Sequence, residues 1–87
     1  MLNIISEIRK IEYDDNNNVN SGVIIVYKNI GETSHDVVNT ARKQFKIRKV
    51  GHAGALDPFA EGLMIIALAK STKELKYYIL SILNKKP

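Results

Sequence analysis

The stretch Gly51-His52-Ala53-Gly54-Ala55-Leu56-Asp57-Pro58-Phe59-Ala60-Glu61-Gly62 decides how the rest of the chain is read. Three glycines and a proline within these residues disfavour a continuous helix or a long strand, so the stretch reads as an ordered loop between elements. Asp57 precedes Pro58, and the proline ring holds the residue before it away from helical backbone angles. Leu56 and Phe59 are costly to leave in water together, which implies a loop packed against the body and an acid in a partly apolar setting. The plain alternative is that Asp57-Pro58 is a turn and nothing more. Familiar site motifs do not fit. Gly51-x-x-Gly54 lacks dinucleotide-binding spacing, and Lys70-Ser71 lacks the glycine of a phosphate-binding loop. A metal site would have to use His35, His52 and carboxylates without any cysteine, so no metal is expected.

Working outward, residues 63–68 (Leu-Met-Ile-Ile-Ala-Leu) form an unbroken apolar run, read as a buried strand covered on both faces. Residues 22–27 form a second β-branched run and a second strand. Val50 reads as the end of a short strand leading into the loop. Between them, Ser34 is expected to cap a helix reaching Phe45, with Asp36 in the first turn and Val38, Ala41 and Phe45 on the face toward the sheet. Ser71-Thr72-Lys73-Glu74 has capping-box spacing and predicts a last helix, with Leu75, Tyr78, Ile79, Ile82 and Leu83 on one side and Lys85-Lys86-Pro87 as its stop. At the other terminus, Ile4, Ile5, Ile8 and Ile11 suggest a short amphipathic helix over 1–13, docked on the body. The polar run 14–21 then reads as a flexible linker. The expected fold class is α/β (α+β mixed), with buried strands and flanking helices; the division is 1–21 as an N-terminal segment and 22–87 as the body.

The chain has 87 residues and no cysteine, enough for one small domain without disulfides. No signal pattern or bilayer-length apolar run is present, so a cytoplasmic, soluble protein with no membrane partner is expected. Charge is unevenly spread: residues 1–40 hold three basic and six acidic side chains, and residues 41–87 hold ten basic and three acidic. Arg42, Lys43, Lys46, Arg48 and Lys49 directly precede the loop, as a phosphate-binding rim would, or as a solvated helix face would.

Gly51-His52-x-Gly54-x-Leu56-Asp57-Pro58-x-Ala60-x-Gly62-Leu63 resembles the catalytic motif of the TruB family of RNA pseudouridine synthases. Residues 22–28, the segment Gly31-x-Thr33-Ser34-His35-Asp36-Val37-Val38, and Ala69-Lys70-Ser71-Thr72-Lys73 extend the similarity. The resemblance runs from about Gly22 to the end and covers the first part of a family member. It implies cofactor-free isomerisation of a uridine in the TΨC loop of tRNA, with Asp57 as the catalytic carboxylate. It also implies that His52 occupies the space left by the flipped base, that Gly54 lets the substrate approach, and that Lys28, Arg48 and Lys49 contact or support RNA binding. The family has an Asp-Lys-Pro sequence around Lys28, where this chain has Tyr27 and Asn29. Expected partners are tRNA and the remainder of the same catalytic domain, without which this chain alone is expected to be silent. The alternative is an RNA-binding or split-subunit module.

Overall fold

The structure, a computed structural model, describes residues 2–53 and 62–78. Its centre is a pair of long antiparallel strands, β2 (Val19–Lys28) and β4 (Gly62–Ala69), in continuous register from Ser21↔Ala69 to Lys28↔Gly62. Both are rich in β-branched and aliphatic side chains, which suit a pleated surface buried by its neighbours. A short strand β3 (Val50–Ala53) pairs with the other edge of β4, and a strand β1 (Ile4–Tyr13) pairs with the free edge of β2. The sheet order is β1-β2-β4-β3, antiparallel throughout.

Directly opposed residues share a face, so the register sorts the core. Ile24, Ile66 and His52 lie in one row, and Val23, Ala67 and Gly51 lie in the next row on the opposite face. The first face is covered by helix α1 (Ser34–Phe45), which buries Val37, Val38 and Ala41 against Ile24, Val26, Met64, Ile66 and Leu68, with Phe45 packed beside them. The second face is covered near its middle by a 3₁₀ turn, Lys70–Glu74, and the helical residues 75–78 that follow. There Leu75 packs directly on Gly51: a Cβ would come within 2.6 Å of the Leu75 Cδ1, so the Leu75 side chain would have to shift to admit one. Cover is complete at Ile66, Ala67 and Leu68, but Leu63 is 57 % exposed, so the expectation of a strand buried along its whole length fails at this end.

Three expectations change. Residues 4–13 are a strand, not a helix. Isoleucines at 4, 5, 8 and 11 satisfy a helical template, but a helix of about thirteen residues is marginal alone, and the edge of β2 offers the same backbone a ladder of hydrogen bonds. The ladder is irregular, with register shifts after Ile4, Glu7, Arg9 and Glu12. The polar run is not a loose linker but a hairpin turn: Asp14 Oδ1 accepts from the N–H groups of Asn16 (2.9 Å) and Asn18 (3.0 Å), and Asn17 takes a left-handed φ of 62°. β2 then begins at Val19, inside the segment read as linker. Third, β3 starts rather than ends at Val50, so Gly51, His52 and Ala53 belong to the sheet and only 54–61 of the motif region lie outside the described residues.

Capping also differs in detail. Thr33, not Ser34, is the N-cap of α1; its hydroxyl accepts from the Asp36 N–H at 2.9 Å while the Asp36 carboxylate accepts from the Thr33 N–H at 3.0 Å. Ser71 caps no helix. It is fully buried, and its Oγ accepts from the Gly22 N–H at 3.0 Å, tying the last segment to β2. Ile79, Ile82, Leu83 and the stop at Lys85-Lys86-Pro87 lie outside the described residues.

Candidate active site at one end of the sheet

The motif segment is anchored at Ala53, which pairs with Ile65 near the middle of β4, and at Gly62, at the end where β2 finishes with Lys28. Lys28 faces Gly62 in the register. It is 0 % exposed, and its Nζ donates to the Glu32 carbonyl at 2.7 Å and the Asn29 carbonyl at 3.2 Å. The same turn is closed by Glu32 N–H on the Asn29 carbonyl (3.2 Å) and by Asn29 N–H on the Glu32 carboxylate (3.0 Å). Lys28 therefore fastens the path from β2 into α1 beside the point where the motif rejoins the sheet. Of the two roles expected of Lys28, phosphate contact or support of the loop, its burial and its two carbonyl partners favour support.

Helix α1 begins at this same end and runs away from it. Its cap is electrostatically matched: hydrogen bonds from the Thr33 backbone and side chain hold the Asp36 carboxyl below its ordinary pKa, with His35 lowering it further. His52 sits in β3 one residue before Ala53, on the face that packs against α1. Its Nδ1 is buried and has no hydrogen-bond partner among the described residues. Asp57 and Gly54 lie outside the described residues.

Arg48 and Lys49 are placed elsewhere. They adjoin the motif in sequence, but β3 intervenes, and Lys49 lies at the opposite end of the sheet, its carbonyl accepting from the Ala69 N–H at 2.8 Å. The eight residues of β4 separate that end from Gly62 by about 23 Å at ~3.3 Å per residue. Arg42 is engaged as a brace, with Nε on the Arg48 carbonyl (2.9 Å) and Nη1 on Asn39 Oδ1 (3.1 Å). Sequence reasoning misses Ser71 and the turn-closing Glu32; the capping-box spacing draws attention away from the first, and nothing local marks the second. No group of histidine, aspartate and glutamate side chains able to hold a metal occurs among the described residues. No described helix is long and apolar enough to cross a membrane.

The geometry defines a class: an α+β domain that ties a glycine-rich segment with one Asp-Pro pair between two adjacent strands and supports its anchors from a buried lysine. Residues 42–85 match the family model described as TruB family pseudouridylate synthase (N terminal domain). The chain is 53 % identical over 57 residues to a tRNA pseudouridine synthase B of Thermotoga petrophila, covering 66 % of this chain and 18 % of the relative. It is 57 % identical over 53 residues to that of Acholeplasma laidlawii (61 % of this chain, 19 % of the relative). With that of Corynebacterium efficiens it shares 47 % over 60 residues (69 % and 20 %). The chain belongs to the TruB family of pseudouridylate synthases. It spans about a fifth of the length of these relatives.

Proposed function

We propose that the full-length protein containing this chain isomerises a uridine to pseudouridine in tRNA, at the TΨC loop, and that Asp57 is its catalytic carboxylate. The observation that carries the reading is the family match across residues 42–85, which contains the whole motif; the relatives' printed activity, on tRNA, supports the substrate class. The reaction breaks the bond between C1′ and N1, rotates the uracil, and forms a bond between C1′ and C5. The C5 proton leaves and N1 gains one, so the reaction is redox-neutral and needs no cofactor. Asp57, as the carboxylate of the motif in the matching position, acts as nucleophile or base on the sugar or base. The target uridine must first leave its stack, at a cost of a few kcal/mol. His52, at the exit of β3, is assigned by the family pattern to the space the base leaves. Gly54 gives the RNA close approach.

Pseudouridine formation on a tRNA transcript is the test. The full-length protein should convert one uridine per tRNA, and Asp57→Ala should abolish conversion while RNA binding persists. Turnover that survives Asp57→Ala would overturn the role of that residue. RNA binding without turnover by the unaltered protein would put the binding-module reading first.

A further inference from the structure

The end of the sheet opposite the motif carries a concentration of cations that the reading above does not use. The bond from Ala69 N–H to the Lys49 carbonyl joins two connections there: the one from α1 into β3, and the one from β4 into the 3₁₀ turn. Lys43, Lys46, Arg48, Lys49, Lys70 and Lys73 are all exposed on or beside these connections. No described acid pairs with them. Glu74, the one acid on the 3₁₀ turn, is taken by Arg9 at 2.6 Å, the only ion pair among the described residues. The acidic Asp14 and Asp15 occupy the β1–β2 turn, on the far edge of the sheet, about three strand spacings or ~14 Å across. The potential therefore falls across this end from a basic β3 side to an acidic β1 side.

We propose that this basic end is a second RNA contact, which holds the phosphate backbone of a segment several nucleotides away from the reacting uridine. The inference rests on the RNA-modifying reading above. Its reach follows from the strands: the basic end lies ~13 Å along β3 from Ala53 and ~23 Å along β4 from Gly62, about four to seven rises of ~3.4 Å along a nucleic acid and beyond a single flipped nucleotide. Its chemistry follows from the side chains, nearly all lysines, which act as point charges on phosphate and carry no base-edge information. The acidic turn repels the backbone from the other edge and so fixes the side on which the RNA lies.

The test uses the full-length protein and two RNAs, a complete tRNA transcript and an oligonucleotide limited to the target loop. In the Lys43→Gln/Lys49→Gln/Lys70→Gln/Lys73→Gln variant, four contacts at ~0.7–0.9 each should make the log-log salt slope for tRNA shallower by about 3. Affinity for tRNA at ~0.1 M salt should fall at least about tenfold, and affinity for the loop oligonucleotide should change less than about twofold. An unchanged slope, or equal losses on both RNAs, overturns the proposal. A matching Lys→Arg variant controls for folding and should restore the slope; if it binds tRNA as weakly as the Gln variant, charge is not the agent and the proposal fails. If the unaltered protein forms pseudouridine but the slope is unmoved, only this inference falls. If it forms none, the reading it rests on falls instead.

Discussion

Replacing Lys28 by methionine separates support of the fold from contact with RNA. The Lys28→Met variant keeps the length and apolar stem of the side chain but removes both bonds made by Nζ. The Asn29 carbonyl retains the Glu32 N–H as a partner, so the loss concentrates on the Glu32 carbonyl, which accepts the shorter of the two lysine bonds. Leaving a buried acceptor unsatisfied costs about 1–3 kcal/mol, and this part-buried carbonyl falls toward the lower part of that range. A gain in apolar burial offsets a part of this, because a thioether needs no partner at a site that is fully buried. The expected net destabilisation is about 1–2 kcal/mol, which in a protein of more than about 150 residues lowers Tm by roughly 2–8 °C. Thermal unfolding of the full-length protein measures it, followed by RNA affinity at a temperature where both forms are folded. Lower Tm with an unchanged salt slope for RNA is the expected pair of results. A Lys28→Met protein with unaltered Tm and a slope shallower by ~0.7–0.9 would refute the argument, because it would make Lys28 a phosphate contact.

Ala69 holds a φ of 51° and ψ of −122°, a region that costs a side-chain-bearing residue about 1–3 kcal/mol; Ala69→Gly should raise stability by about 1 kcal/mol after the entropy of the added glycine, visible as a higher denaturant midpoint. Ser71→Ala leaves the buried Gly22 N–H without its acceptor and should cost about 1–3 kcal/mol, whereas Ser71→Thr keeps the hydroxyl and separates the hydrogen bond from the packing; the same denaturant titration reads both. Thr33→Ala should lower stability by about 1 kcal/mol by opening the cap of α1. The cap also sets a pH dependence. Asp36 has a folded pKa below its ordinary value, so its contribution is present above the ordinary carboxylate range and is lost as pH falls through the depressed value; the acid limb of the stability curve should flatten in Asp36→Asn.

How much of the structure is legible in the sequence depends on how local each cause is. The β-branched run at Val23 to Val26 and the apolar run at Leu63 to Leu68 carry their strand character within themselves, and both are strands. The helix is equally plain, because Asp36 and the stripe Val38, Ala41 and Phe45 lie within one element, and only the cap differs, by a residue. β1 is not legible: its isoleucines fit a helix as well as an irregular strand, and the deciding fact, an open edge on β2, lies elsewhere in the chain. The same holds for Ser71, whose partner Gly22 is 49 residues away. At the site, the motif reads as one unit from its residues, but the neighbourhood of Arg48 and Lys49 does not, since adjacency in sequence hides the four residues of β3 that carry the chain across the sheet.

Of the four described strands, the one that joins the other three is the last made. β4 sits between β2 and β3 in space but follows both in the chain, so two strand edges wait unpaired until it emerges. From Lys28 to Ala69 the ribosome adds 41 residues, about 2–8 s at ~5–20 residues per second. During that interval α1 and the β1–β2 hairpin can form from local contacts, but the motif has only one of its two anchors. A nascent chain that stalls before Ala69 therefore presents β2 with one edge open and its apolar row at Ile24 and Val26 without the Met64 and Ile66 that complete it. Such a chain is a substrate for chaperones, and codons slow to translate within 62–69 should lower the yield of folded protein more than the same codons placed after 78.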